Sequence, residues 1–180
     1  MDLLKHIRIE KGSVHVNGTL KFSHEESEFR VFARSLYKYH AMDYAKFYKM
    51  SPLSKLGFLA SEILLMGMDT KQVAPENISL IIANASSSLH TDRIYQDTQE
   101  SKPSPAIFVY TLPNIVIGEI CIRNGFKGEG FFFIQESFDK EFIFEYADEL
   151  LMERQTTLCV AGWVEIDMEG DYLADLSLLK

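Results

Sequence analysis

The sequence has little cysteine and no long apolar run. Its 180 residues include two cysteines, Cys121 and Cys159, too few for a disulfide scaffold, so we expect reduced thiols. No stretch approaches the ~18 consecutive apolar residues of a membrane-spanning helix. The N-terminal segment MDLLKHIRIE lacks the apolar core of a signal peptide. These absences predict a cytoplasmic protein without a membrane partner.

Basic residues and metal-ligand patterns are also scarce. Lysine and arginine number 18 against 26 aspartates and glutamates, which gives a net charge of −8, and no basic cluster offsets it. Such a chain repels phosphate backbones, so we expect no nucleic acid partner. His90 and Asp92 have no third ligand at metal spacing, so we expect no metal site. No Lys-Ser or Lys-Thr pair follows the glycines at 125, 128 and 130, which argues against a phosphate loop. We therefore expect no cofactor.

The residues that are present are ordinary for a globular α/β protein. Hydrophobic residues make up 47% and charged residues 24%, and a single domain spanning 1–180 can bury ~70% of its unfolded surface. Alternating apolar residues around Lys11-Gly12 predict a β-hairpin. Strands and helices then alternate, which favours a mixed or parallel sheet with helices on both faces. The predicted helices are 28–40, 52–67, 111–124 and 139–153, and the further predicted strands are 78–83, 131–134, 156–166 and 172–179. Ser51 can cap the second helix with Pro52 in its first turn, and Asn124-Gly125 is a plausible end of the third.

A short polar loop follows the strand predicted at 78–83. That strand has almost no polar side chain, as in a strand covered on both faces of a parallel sheet. Ligands of open α/β sheets tend to bind beside such loops. The candidate binding residues are Asn84, Ser86, Ser87 and Ser88. A plain strand-to-helix turn is the alternative interpretation.

Four segments between about residues 49 and 166 resemble the N-terminal half of a β-ketoacyl synthase, a protein of the thiolase-like fold. They are KMSPLSKLGFLASEILL, ISLIIANASSS, SPAIFVYTLPNIVIGEICIRNGFKG and LCVAGWVEID. The third is the most specific, because members of the family carry a similar Pro-Asn pair and similarly spaced glycines. Here these residues are Pro113, Asn114, Gly118, Gly125 and Gly128. The resemblance implies a single half of a thiolase-like fold, with a mixed five-stranded sheet and helices on both faces.

The family's catalytic residues are missing from this sequence. The family places a cysteine at a strand-to-helix elbow, where the helix dipole lowers the pKa of the thiol. That position falls near Ser137 here, with Gln135 and Glu136 beside it as candidates for a decarboxylating role. The family's oxyanion-stabilising histidines belong to a second half that this sequence does not contain. We therefore expect no catalytic residue and no condensing activity, and we interpret Ser137 as a helix cap.

The resemblance also implies a biological setting. We expect a non-catalytic accessory protein of a fatty-acid, polyketide or polyene pathway that binds a ketosynthase or an acyl carrier protein. Lys46, Lys49 and Lys55 could contact an acidic carrier protein. Two alternatives stay open. One is an acyltransferase or thioesterase that uses Ser137, and the other is a domain that binds an acyl-type small molecule at the 86–88 loop.

The helix predicted at 139–153 has an acidic face. On a helical wheel its apolar residues share one arc: Ile143, Phe144, Tyr146, Ala147, Leu150 and Leu151. The opposite arc is acidic: Glu141, Glu145, Asp148, Glu149 and Glu153. Burying unpaired carboxylates costs on the order of several kcal/mol each. This arc therefore faces water or a basic partner, although the family buries the corresponding helix on all sides.

The strand Phe131-Phe132-Phe133-Ile134 is a candidate interface. In the family, the strand before the nucleophile lies at a sheet edge and pairs with its twin across a two-fold axis. An exposed apolar edge invites aggregation, and symmetric pairing removes that edge. We therefore predict a homodimer built on this strand. A central strand within one chain is the alternative.

Overall fold

The computed structural model describes residues 1–99, 103–153 and 156–180. Its strands are β1 (Leu3–Glu10), β2 (Ser13–Val16), β3 (Thr19–Ser23), β4 (Ile78–Asn84), β5 (Gly130–Ile134), β6 (Leu158–Ile166) and β7 (Tyr172–Leu179). Its helices are α1 (Phe29–Tyr39), α2 (Pro52–Leu65), α3 (Leu89–Gln99), α4 (Pro105–Phe108), α5 (Ile115–Asn124) and α6 (Lys140–Glu153). Short 3-10 turns lie at Ala45–Lys49, Thr70–Gln72, Pro75–Asn77 and Val109–Thr111.

All seven of these strands form one mixed sheet. The strand order is β3-β2-β1-β7-β6-β4-β5. Strand β4 pairs in parallel with β5 and β6, and the other neighbours are antiparallel. The mixed α/β class is confirmed, but the expected count of five strands is wrong. The N-terminal hairpin belongs to the same sheet, and it continues through a tight turn at Asn17-Gly18, both at positive φ, into the unpredicted strand β3.

Helices α1, α2 and α5 cover one face of the sheet and share its larger core. Helix α2 is buried over most of its surface. The Ser51 side chain caps it by accepting the N–H of Ser54 at 3.2 Å, and Pro52 occupies the first turn, as the sequence predicts. Gly57 lets α2 approach α5, because a Cβ at that position would overlap the side chain of Val116.

The opposite face is covered differently. Of the helices described, α6 alone contributes to the core on that side, where Ile143, Ala147 and Leu150 pack against residues such as Ile81 and Trp163. The prediction of helices on both faces is therefore confirmed. The outer side of α6 has no further layer above it in the described chain.

Helix length and apolarity bear on membrane insertion. Within residues 1–99, 103–153 and 156–180, no single helix is long and apolar enough to cross a membrane. Residues 105–111 and 115–124 reach the required length and apolarity only when taken together, with a 103° bend between them.

Candidate functional site

The elbow between β5 and α6 holds the residues that stand near the family's nucleophile position. Gln135 donates its backbone N–H to the carbonyl oxygen of Asn84 at 2.9 Å, which ties the end of β5 to β4. Its side-chain oxygen is buried and has no hydrogen-bond partner among the residues that the structure describes. Glu136 and Ser137 are exposed. The elbow thus presents a carboxylate and a hydroxyl to solvent.

The cap of α6 is Asp139, which corrects the interpretation of Ser137 as the cap. Helix α6 begins at Lys140, and Asp139 Oδ1 accepts the N–H of Phe142 at 3.0 Å. No histidine in the described ranges hydrogen-bonds to the Ser137 hydroxyl. A serine hydroxyl without an adjacent base is a weak nucleophile. Ser137 therefore has no histidine partner among the described residues.

The two cysteines lie outside the elbow. Cys121 is half-buried in α5, and Cys159 is buried in β6. Burial raises the pKa of both thiols, that of Cys159 to about 12. Both thiols are therefore protonated at neutral pH, and neither suits a nucleophilic role. In the part of the chain that the structure covers, no group of three or more His, Cys, Asp or Glu residues could hold a metal ion.

The loop after β4 is held by its own hydrogen bonds. The Asn84 side chain is 0% exposed, donates to the Ser87 carbonyl at 2.8 Å and accepts the Ser87 N–H at 3.0 Å. Glu165 on β6 accepts the N–H of Ser86 at 3.1 Å. Ser88 is buried. The structure brings the four candidate binding residues together, and these contacts serve a strand-to-helix turn.

Strand β5 is an edge of the sheet. Among the described strands it pairs with β4 only, so the alternative of a central strand is wrong. The N–H of Leu80 bonds to the carbonyl of Glu129, and the N–H of Gln135 bonds to the carbonyl of Asn84, so odd-numbered residues point towards β4. Because orientation alternates along a strand, the N–H and C=O groups of the three even-numbered residues point outward. These residues are Gly130, Phe132 and Ile134.

Aromatic rings cover the α6 side of this edge. Tyr146 on α6 packs against Phe131 and Phe133, with ring centroids 4.9 and 5.3 Å apart, and Phe142 lies 5.1 Å from Phe133. These contacts hold β5 against α6. Ile134 at the end of the strand is 61% exposed. The edge is therefore apolar, packed against α6 and accessible along its outer side.

The acidic face of α6 is confirmed for the side chains described. Glu141, Glu145 and Glu149 are exposed or partly exposed. Asp148 is half-buried, and its Oδ1 lies 3.4 Å from the amino group of Met1. The side chain of Glu153 lies outside the described atoms. The acidic face meets solvent in this chain, which agrees with the expectation from the wheel.

Sequence reasoning missed a cationic groove between α1 and α2. Arg30 and Arg34 lie one turn apart on α1, and Lys55 on α2 completes the set. The groove has a volume of about 330 Å³. Its other lining residues are Phe29, Ala33, Phe47, Tyr48 and Pro52. A signal was present, since Arg30 and Arg34 stand four residues apart on the predicted helix, but Lys55 joins them only after folding.

The architecture is that of the ketosynthases, a thiolase-like fold carried by a half-size chain. The structure of the ishigamide ketosynthase/chain length factor matches 98% of this chain with a TM-score of 0.66 and 13% identity. The ketosynthase ApeO with its chain length factor ApeC, from Xenorhabdus doucetiae, matches 99% with a TM-score of 0.65 and 13% identity. A type II polyketide synthase acyl carrier protein in complex with its ketosynthase matches 78% with a TM-score of 0.56 and 14% identity.

The partial coverage of the similar chains and the low sequence identities limit what can be inferred from them. The chain covers 60%, 78% and 51% of the three chains that it matches. No protein-family model matches the sequence, and a search among curated proteins gives no match. At such identities the likeness establishes the fold, and the fold by itself does not assign an activity.

Proposed function

We propose that this chain is a non-catalytic accessory protein of fatty-acid, polyketide or polyene assembly, which forms a homodimer through β5 and binds a ketosynthase or an acyl carrier protein. The observation that carries the proposal is the apolar edge of β5, which pairs with β4 alone among the described strands of a ketosynthase-like fold. Two of the similar structures contain a ketosynthase with its chain length factor, and a third contains a ketosynthase with its carrier protein. A paired subunit with the same fold fits assemblies of that kind.

A second copy of this chain offers the matching edge. In an antiparallel pair with its two-fold axis at Phe132, each Phe132 exchanges two hydrogen bonds with its twin. Gly130 then lies opposite Ile134 of the other copy, and the reverse pair follows by symmetry. This register uses all three outward-facing residues and forms about six hydrogen bonds, whereas any shift leaves some of them unpaired.

The side chains agree with this register. On the α6 side, Phe131 of one copy meets Phe133 of the other, and on the α5 side the two Phe132 rings are neighbours. Cross-strand aromatic pairs contribute about 0.2–1 kcal/mol each. The pairing also removes an exposed edge of the kind that promotes aggregation. The homodimer is therefore the form in which we expect β5 to be covered.

A carrier protein is the second candidate partner, and its support is narrower. Of the three lysines that could contact an acidic carrier protein, Lys46 forms an ion pair with Glu119 at 2.9 Å. Lys55 lies half-buried in the groove, and Lys49 is exposed. Of the three lysines, only Lys49 is thus exposed and free of an ion pair among the described residues, which is little positive charge for the surface of an acidic carrier protein. Pairing through β5 is thus the better supported contact.

The non-catalytic part of the proposal is argued from the residues of the elbow and from the two cysteines. Ser137 has no histidine bound to it in the described chain, and the pKa of both cysteines is raised by burial. An acyl-enzyme requires an activated nucleophile. An acyltransferase or thioesterase that uses Ser137 would therefore lack a histidine to remove the proton of the serine hydroxyl.

Incubation with acyl- and malonyl-thioesters tests the non-catalytic assignment. We expect the intact mass of the protein to stay unchanged, because no activated nucleophile is available, while a ketosynthase with its cysteine gains an acyl group under the same conditions. The Ser137→Ala variant is the matched control. A mass gain that disappears in Ser137→Ala would establish an acyl-enzyme, and a gain that persists would place a nucleophile elsewhere; either result contradicts the assignment.

A further inference from the structure

The groove between α1 and α2 concentrates positive charge on a chain whose net charge is −8. Arg30 and Arg34 are both on α1, and Lys55 reaches the groove from the first turns of α2. Two other arginines are paired: Arg8 with Glu10, and Arg123 with Glu62. Along the described ranges, no carboxylate forms an ion pair with any of the three groove cations.

Because Lys55 is partly buried, the lack of a negatively charged partner disfavours its charged form. Its side chain is half-buried, and its Nζ lies 5.9 Å from the centre of the Phe47 ring. Burial, and then the nearby charge of Arg30, lower the pKa of Lys55. A desolvated ammonium beside a guanidinium is stabilised by an anion placed between them. The positive charge of the groove therefore favours an anionic ligand, because no carboxylate of the described residues forms an ion pair there.

The shape and walls of the groove indicate what else the occupant carries. Phe29 and Phe47 form buried apolar surfaces, and the Tyr48 ring at the rim is 52% exposed. A volume of about 330 Å³ lies within the range of small-molecule sites. Guanidinium groups bind phosphate oxygens in a bidentate manner, and exposed aromatic rings stack on planar groups.

We propose that this groove binds a small phosphate ester that carries a planar or apolar group. The phosphate lies among Arg30, Arg34 and Lys55, and the planar or apolar part lies against the exposed ring of Tyr48. A small ligand is favoured over an acidic protein surface because Lys55 is recessed in the concavity, where a flat surface makes little contact with it. The proposal is independent of pairing through β5 and of the absence of catalysis.

Calorimetric titration with three probes tests this assignment at low ionic strength. Adenosine 5′-monophosphate supplies phosphate and ring, inorganic phosphate supplies charge alone, and adenosine supplies the ring alone. We expect saturable binding of the monophosphate, weaker binding of inorganic phosphate and no detectable binding of adenosine. Both Arg34→Gln and Lys55→Gln are expected to weaken binding of the monophosphate about tenfold, since each removes a charged donor.

Lys21→Gln is the matched control for Lys55→Gln. Phe22 on β3 packs towards α1, so its neighbour Lys21 points to the opposite face of the sheet. This variant removes the same charge and is expected to leave the affinity within about twofold. Equal weakening by Lys21→Gln and Lys55→Gln overturns the proposal, as does the absence of saturable monophosphate binding. A polyglutamate peptide that binds and is not displaced by the monophosphate also overturns it, in favour of an acidic protein.

Discussion

The substitution Phe132→Pro is expected to convert the proposed homodimer into a monomer. Proline lacks the N–H that Phe132 directs away from β4, and this group lies at the centre of the proposed pairing. The ladder with β4 uses the odd-numbered residues, so the substitution removes no hydrogen bond from the fold, and proline is tolerated at such edge positions. We expect the dimer dissociation constant to rise about 100-fold or more. Sedimentation velocity over a concentration series measures this change.

Phe132→Ala separates the backbone contribution from that of the ring. The alanine variant keeps the outward N–H and loses only the aromatic contact, so its dissociation constant is expected to rise about tenfold or less. Circular dichroism checks that both variants remain folded. Equal dimer affinities for the native protein and Phe132→Pro would show that the edge of β5 does not pair.

Gly162→Ala is expected to have the largest effect on stability. Gly162 lies in the middle of β6 with a φ of 150°, and a Cβ at this position would overlap the backbone carbonyl oxygen of Asp175 on β7. Both the backbone conformation and the contact exclude a side chain. We expect a loss of about 3 kcal/mol or more in the free energy of unfolding, and a fall in Tm of roughly 10 °C. Differential scanning calorimetry measures both.

Gly118→Ala is the control for that substitution. Gly118 lies inside α5, where a Cβ would meet no atom of another element within 4 Å, and its φ lies outside the left-handed region. Alanine is the better helix former, so this variant is expected to gain about 0.5–1 kcal/mol. A Gly162→Ala protein as stable as the native one would mean that β6 and β7 do not approach as described.

The sequence predicts those parts of the fold that depend on local patterns. Ser51-Pro52 before an apolar helix, Gly125 at a left-handed helix end and the apolar strand at 78–83 all correspond to observed elements. The helix α3 and the strand β3 were not predicted. The residues of β3 are mostly exposed, so its sequence lacks the alternation that marks a half-buried strand.

Among the candidate sites, too, some features could be predicted from the sequence and others could not. The edge position of β5 followed from the family resemblance, and it is confirmed among the described strands. The cap of α6 was misassigned because Ser137 and Asp139 are both good capping residues, and only the start of the helix decides between them. The groove was missed because its cations come from two helices that are separate in sequence. Local sequence patterns carry no information about which helices lie side by side in the folded chain.

The most direct test of pairing through β5 uses two variants of a Cys121→Ser protein, each with one cysteine introduced on the strand, while the remaining Cys159 is buried. In the proposed register the two copies of Phe132 face each other with Cα atoms about 5.5 Å apart, within the range of a disulfide. The two copies of Ile134 are about 14 Å apart. We predict that mild oxidation gives a covalent dimer with Phe132→Cys and none with Ile134→Cys. Cross-linking at Ile134→Cys alone, or at neither position in a protein that sediments as a monomer, would contradict pairing through β5.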